Sequence, residues 1–299
     1  MLTIMKWLIY GHAGWIGQQV TDHLRTLHPT DEITLGKARV DRDDVLNDEI
    51  AECRPDRVIC LIGRTHGEGN PTIDYLEQPG KLVENLRDNL YAPVLLAIIC
   101  GRLGIHLTYM GTGCIFAYDE RHPESTGNPG FTESDPPNYF DSSYSIVKGY
   151  TDRLMHHFEG VLNVRIRMPI TSKDNPRNFI SKIIRYERIC SIPNSMTVLD
   201  ELLDVMLDMA RNGKTGTINL TNPGRISHNR ILDLYRQIVD PTFTYKNFSI
   251  DEQRKVLKCG RSNNYLETDR LQAEYPNVDD IETAIVKVLK AWKRQQAPS

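Results

Sequence analysis

Near the chain start, the apolar run Lys6-Trp-Leu-Ile-Tyr10 leads directly into Gly11-His-Ala-Gly14-Trp15-Ile16-Gly17, after which Val20, Leu24 and Leu27 recur at helical spacing. Strand, glycine turn and helix in that order constrain the fold more than any other part of the sequence. Glycines let the backbone turn tightly and approach a diphosphate, which then faces the amide-rich, partially positive start of the helix. The turn therefore predicts a dinucleotide held by Gly11, Gly14, Trp15, Ile16 and Gly17. Residues 32–35, 55–62, 105–110 and 164–168 read as further strands, while 75–103 and 142–158 carry helical periodicity. This alternation predicts an α/β protein built on a Rossmann-type doubly wound parallel sheet.

In such a sheet ligands lie beyond the carboxyl ends of the strands, so the loops there name the next candidates. After the second strand comes Gly-Lys37-Ala-Arg39-Val-Asp41-Arg42, with cations ahead of any acid. An acidic residue there would hold the ribose 2′-hydroxyl of NADH, whereas Lys37, Arg39 or Arg42 can pair with the 2′-phosphate of NADPH. The order favours NADPH over NADH, and Asp41 leaves both open. Arg64 and His66 follow the third strand and face the same crevice. Asn89, in the helical stretch behind it, is a candidate positioning residue for substrate.

At 299 residues with 40% hydrophobic and 25% charged content, the chain can bury a large core. Its net charge of −3 gives no field to hold a nucleic acid, and its apolar runs are too short to cross a bilayer. The N-terminus has no signal-peptide pattern, so a soluble cytoplasmic protein is expected. Six cysteines without C-x-x-C spacing argue against zinc and against a disulfide framework. Past residue 168 the alternation loosens into polar corners, which predicts an NADP-binding domain over 1–168, with 196–220 returning to it. Residues 169–299 would then form mainly a smaller C-terminal substrate-binding domain. Residues 199–211 read as an amphipathic helix stopped by Gly213.

The chemistry concentrates in Met110-Gly-Thr112-Gly-Cys114-Ile-Phe116 and Tyr144-Ser-Ile-Val-Lys148. Tyr144 and Lys148 lie one helical turn apart, where an ammonium favours the phenolate and lowers the phenol's pKa. With Thr112 also bonding a carbonyl oxygen, Tyr144 can protonate that oxygen as hydride arrives, and both Tyr144 and Lys148 would contact the cofactor. Cys114, two residues beyond Thr112, lies on the same side of an extended segment.

Gly11, Gly14, Gly17, Thr112, Tyr144 and Lys148 resemble the signature of the extended short-chain dehydrogenase/reductase superfamily. More closely, Gly-Thr-Gly-Cys-Ile-Phe116, Arg167-Met-Pro-Ile170, Asn175-Pro-Arg-Asn-Phe-Ile180, Ile192-Pro-Asn-Ser-Met196, Thr221-Asn-Pro-Gly224 and Arg261-Ser-Asn-Asn264 are similar to the bifunctional UDP-4-keto-6-deoxy-D-glucose 3,5-epimerase/4-reductases. This group includes the carboxyl-terminal half of plant rhamnose synthases.

The resemblance implies inversion at C3 and C5 followed by NADPH-dependent reduction at C4, giving UDP-L-rhamnose. The related GDP-L-fucose synthase has a cysteine matching Cys114 and a histidine at the position of Lys182. Cys114 as base with Lys182 as acid is coherent, because a thiol titrates near 8.5 and a nearby ammonium lowers it. Arg261 and Asn178 would hold the diphosphate or sugar hydroxyls of the UDP-sugar. A homodimer is implied, as is a separate 4,6-dehydratase supplying the keto sugar. The rival readings are a plain nucleotide-sugar 4-ketoreductase and a non-catalytic NADP-binding regulatory subunit.

Overall fold

The computed structural model describes residues 4–125, 127 and 129–296. Strand β1 (Lys6–Tyr10) enters helix α1 (Trp15–Leu27) through the glycine turn, and β2 (Glu32–Leu35), α2 (Asp43–Cys53) and β3 (Arg57–Cys60) follow. After a 3₁₀ turn at Ile73–Glu77 come α3 (Leu82–Leu86) and α4 (Ala92–Leu103), joined by the π-turn Arg87–Tyr91. The chain continues with β4 (His106–Thr112), α5 (Ser143–Met155), β5 (Val161–Ile166), α6 (Phe179–Ile183), β6 (Arg188–Ile189), α7 (Leu199–Arg211) and β7 (Gly216–Asn219). Last are α8 (His228–Ile238), β8 (Lys246–Asn247), α9 (Ile250–Val256), α10 (Asp269–Glu274) and α11 (Ile281–Gln296).

The main sheet has the order β2-β1-β3-β4-β5-β7, and β1 pairs in parallel with both β2 and β3. Because β2 and β3 lie on opposite sides of β1, the chain reverses direction at the β1/β3 junction. This opens a crevice beyond their carboxyl ends, where Gly11 and Ile62 stand. Strand interiors such as Trp7-Leu8-Ile9 and Val58-Ile59-Cys60 are fully buried, as expected for parallel strands covered on both faces.

Two compact units emerge from the contacts, one of residues 1–115, 136–165 and 203–218, the other of 116–135, 166–202 and 219–299. The first unit's core packs Leu8, Tyr10, Val58, Leu95, Leu96, Ile99 and Leu107 between sheet and helices. Each such Leu or Ile contributes about 1.5–3 kcal/mol on burial. In the second unit, Ile231, Leu232, Ile285, Leu289 and Trp292 bring α8 and α11 together over Ile170, Ile180 and Val198. No helix among the described residues is long and apolar enough to cross a membrane.

The long helical pattern before β4 is one helix with a fault in it. A π-turn leaves a backbone carbonyl out of the regular ladder, and Thr151 of α5 supplies a partner, its hydroxyl donating to the Asn89 carbonyl at 2.6 Å. The widened turn thereby welds α4 to α5. Within the same unit, Asp152 of α5 takes both Nε and Nη2 of buried Arg165 at 2.9 and 2.7 Å, fixing how α5 lies on β5.

Candidate active site

The glycine turn forms a cradle whose shape admits no side chain at two positions. Gly11 has φ +81°, and a β-carbon there would stand 2.8 Å from the Leu61 carbonyl carbon. At Gly17 a β-carbon would stand 2.1 Å from the Gly11 oxygen, so α1 presses directly on the turn. Gly14 is the N-cap of α1 and offers no side chain to the first helical amides, which leaves them for an anion. Trp15 and Ile16 start the helix, both half-buried.

Beside this cradle lies a cleft of about 310 Å³ lined by Gly11, His12, Gly36, Arg39, Asp41 and Arg87, among others. Of the three expected cations, Arg39 lines this cleft, whereas Lys37 is exposed and contributes its backbone N–H to Glu49 Oε1 at 2.7 Å, and Arg42 is exposed and lies 3.6 Å from Asp44 Oδ2. Arg39 donates to Asp41 through Nε and Nη2, both at 3.0 Å. Arg64 lies behind the cleft, its Nε donating to Asp88 Oδ2 at 2.5 Å and its backbone N–H to Asn89 Oδ1 at 2.9 Å. Asn89 also donates to the Arg64 carbonyl and to Asn85 Oδ1, at 2.9 and 2.8 Å. It is fully buried and clamps the loop after β3.

Thr112 ends β4, and there the chain leaves the strand. Gly113 bends, Cys114 opens a turn, and the Cys114 N–H donates to Thr112 Oγ1 at 3.1 Å. The pairing of hydroxyl and thiol foreseen from strand alternation thus arises from a turn. Ser145 Oγ donates to the Cys114 carbonyl at 2.7 Å and anchors the turn on α5.

Ser142 caps α5 by accepting from Ser145 N at 3.1 Å, and Glu77 Oε1 accepts from the Ser143 N–H and hydroxyl at 2.8 and 2.9 Å. These contacts seat Tyr144 against Tyr75, with Cys114 packed on the same cluster. Thr112, Cys114 and Tyr144 therefore meet in one unit. Burial and then the neighbouring Cys114 push the Tyr144 phenol upward, and its hydrogen bond with Thr112 opposes the rise.

Lys148 sits one turn on, but its ammonium donates to the hydroxyl of Tyr109 in β4 and stands 4.6 Å from that ring's centroid. Burial lowers its pKa to about 8, with Cys60, Asp152 and Cys114 opposing. The lowering of Tyr144 by Lys148, expected from helical spacing, is replaced here by a different pairing. The physical reason is that Tyr109, buried on β4, intercepts the ammonium. Spacing along one helix cannot reveal a partner on another element.

In the second unit the chain leaves β5 through Arg167, which is fully buried. Its Nη1 donates to Ser262 Oγ at 2.9 Å, and its Nη2 to Asn194 Oδ1 at 2.5 Å and the Ser262 carbonyl at 3.1 Å. One guanidinium thereby ties together the segments around 194 and 262. Met168 adopts φ +40°, an uncommon conformation for its type that turns the chain toward α6. Asn178 caps α6, accepting from Ile180 N at 3.2 Å while its Nδ2 donates to the Thr171 and Lys173 carbonyls at 2.7 and 2.8 Å. Its amide is thus committed to joining the 171–173 loop to the start of α6, the helix that carries Lys182. Burial, and then Arg177, lower the Lys182 pKa. Arg261 is half-buried, with Nη1 donating to the Cys259 carbonyl at 3.0 Å and lying 3.1 Å from its Sγ.

The chain as a whole is similar to a set of known enzymes. The chain is 43% identical over 284 residues to the bifunctional dTDP-4-dehydrorhamnose 3,5-epimerase/dTDP-4-dehydrorhamnose reductase of Arabidopsis thaliana, covering 94% of this chain and 91% of that one. The chain belongs to this bifunctional epimerase/reductase family. Protein L780 of Acanthamoeba polyphaga mimivirus is 56% identical over 293 residues, covering 98% of this chain and all of that protein. A crystal structure described as the L780 UDP-rhamnose synthase superimposes with a TM-score of 0.93, covering 97% of this chain and 100% of its own. The dTDP-4-dehydrorhamnose reductase of Bacillus anthracis, solved in complex with NADP, shares 16% identity and a TM-score of 0.78 over 96% of this chain and 99% of its own. At that identity it shares the epimerase/reductase family's fold. No family model matches the chain.

Tyr109, Arg87 and Arg167 gave no sign of their roles in the linear sequence. Arg167 was visible only as part of a motif. Arg87 opens the π-turn, a departure from α-helical periodicity that linear spacing does not show.

Proposed function

We propose that this protein epimerises UDP-4-keto-6-deoxy-D-glucose at C3 and C5 and reduces it at C4 with NADPH, forming UDP-L-rhamnose. The observation that carries this reading is the meeting of Thr112 and Cys114, on the turn that closes β4, with Tyr144 of α5. Together they set two hydroxyls suited to a carbonyl beside a thiol suited to a carbon-bound proton.

The C4 ketone acidifies the hydrogens on both neighbouring carbons, so one polarised carbonyl serves both inversions. Thr112 and Tyr144 donate to its oxygen and stabilise each enolate. Cys114 removes the proton, and Lys182, whose lowered pKa eases proton release, returns one to the opposite face. At C4, Tyr144 delivers a proton to the oxygen, and its hydrogen bond with Thr112 offsets the charge this leaves.

NADPH supplies the hydride. The open amides of α1, the cradle of Gly11, Gly14 and Gly17, and the cleft with Arg39 fit its diphosphate and adenosine ends, and Tyr144 and Lys148 would hold its nicotinamide ribose. Structures of the same fold solved with NADP and with NAD support a nicotinamide dinucleotide here. Arg261 is our assignment for the substrate diphosphate, and Asn178 and Asn89 act by bracing loops. A separate 4,6-dehydratase would supply the keto sugar.

Incubation with UDP-4-keto-6-deoxyglucose and NADPH tests the reading, with oxidation followed at 340 nm and the product by NMR. UDP-L-rhamnose is the expected product. A product that keeps the gluco configuration at C3 and C5 would mark a plain reductase, and absence of turnover a regulatory subunit.

We also propose a homodimer through the face of α3, α4 and α5. Leu82, Val83, Ile98, Tyr150 and Leu154 are exposed there, Val83 at 70% and Tyr150 at 60%. Light scattering should give the mass of two chains, and Val83→Glu with Tyr150→Glu should reduce it to one. A wild-type protein of single-chain mass would rule the dimer out.

A further inference from the structure

The cofactor cleft holds an arrangement of charge that the glycine turn does not require. From one wall, Arg39 grips the Asp41 carboxylate with Nε and Nη2 at 3.0 Å each. From the other, Arg87 Nε approaches the same carboxylate to 4.0 Å. Asp41 therefore lies between two guanidinium groups at the rim of the cleft. Arg87 is itself oriented by Asp88, which accepts from its Nε and Nη2 at 2.7 and 3.1 Å, and Asp88 is held in turn by Arg64 at 2.5 Å. Two of the three arginines are thus fixed by a shared, mostly buried carboxylate, whereas Arg39 is exposed and fixed by Asp41.

Carboxylate and phosphate present the same pair of oxygens to a guanidinium fork. We propose that Asp41 sets the choice between the two nicotinamide dinucleotides, its carboxylate occupying between Arg39 and Arg87 the place that an adenosine 2′-phosphate takes. Arg87 is then a second specificity residue. The proposal rests on reading this cleft as the adenosine end of a dinucleotide site.

Two opposite consequences follow from one side chain. Toward NADPH, Asp41 competes for Arg39 and repels the entering phosphate. Toward NADH, the same carboxylate accepts a hydrogen bond from the 2′-hydroxyl. Removing its charge should therefore move the two affinities in opposite directions, which general damage to the cleft cannot do. Arg87 contributes only where a phosphate is present, since its own carboxylate partner is Asp88.

Equilibrium titration of nicotinamide fluorescence, without sugar substrate, measures both affinities directly. Asp41→Asn should tighten NADPH and weaken NADH, each by about fivefold, through loss of a competing anion and of a charged acceptor. Arg87→Met, which keeps the aliphatic stem, should weaken NADPH about tenfold more than NADH, and Arg87→Lys should recover part of the difference. Circular dichroism melting of each variant checks that the fold persists. If the wild-type protein binds dinucleotide but both substitutions leave its NADPH/NADH ratio unchanged, the assignment of Asp41 and Arg87 is overturned while the cofactor reading stands. A wild-type protein that binds neither dinucleotide overturns both.

Discussion

Cys114→Ala abolishes exchange of the C3 and C5 hydrogens with solvent while leaving reduction of an already epimerised 4-keto sugar within a fewfold of wild type. The expected loss of exchange is about a thousandfold, typical for removal of a positioned proton-transfer group. Proton NMR of the sugar in deuterated water measures the first activity, and NADPH absorbance with the pre-epimerised substrate measures the second. The separation follows from where the thiol stands. It shares a turn with Thr112 and packs beside Tyr144, while the Tyr144 phenol takes its hydrogen bond from Thr112. The turn is held through the Cys114 backbone, by its N–H and its carbonyl, which alanine retains. Equal loss of both activities would make the cysteine a packing residue.

Gly17→Ala removes dinucleotide binding. An added β-carbon would meet the Gly11 oxygen at 2.1 Å and the His12 α-carbon at 2.7 Å, and these are backbone atoms with no rotamer to yield. Helix α1 must then withdraw from the turn, carrying its open amides away from the diphosphate. The expected cost is about 3 kcal/mol, at the upper end for overpacking, and a loss of NADPH affinity of about a hundredfold. Fluorescence titration measures the affinity and thermal melting the stability. Wild-type affinity in this variant would show that the cradle does not grip a diphosphate.

Much of this protein was legible in its residue order because the relevant information was local. A strand, three glycines and a helix sit within a dozen residues, and Tyr144 and Lys148 occupy one face of one helix, so backbone geometry alone places them. Thr112 and Cys114 were legible as a pair, but the alternation of an extended chain was the wrong reason, since Gly113 breaks the strand between them. What stayed hidden was tertiary. Tyr109 takes the Lys148 ammonium across from β4 to α5, Arg167 joins segments nearly seventy residues apart in the chain. The π-turn that begins at Arg87 is a fault in a periodicity that looks regular in sequence. Helix α2 has little apolar periodicity to read, since five of its eleven residues are acidic and only Leu46 and Ile50 are buried.

Deuterium wash-in tests the central claim, that one site performs both proton transfer at carbon and reduction at the carbonyl. The protein is incubated in deuterated water with UDP-4-keto-6-deoxyglucose, first without and then with NADPH, and the sugar is followed by NMR. Label at both C3 and C5 without reductant, and doubly labelled UDP-L-rhamnose once NADPH is added, is the predicted result. NADPH oxidation yielding an unlabelled product with C3 and C5 uninverted would contradict it.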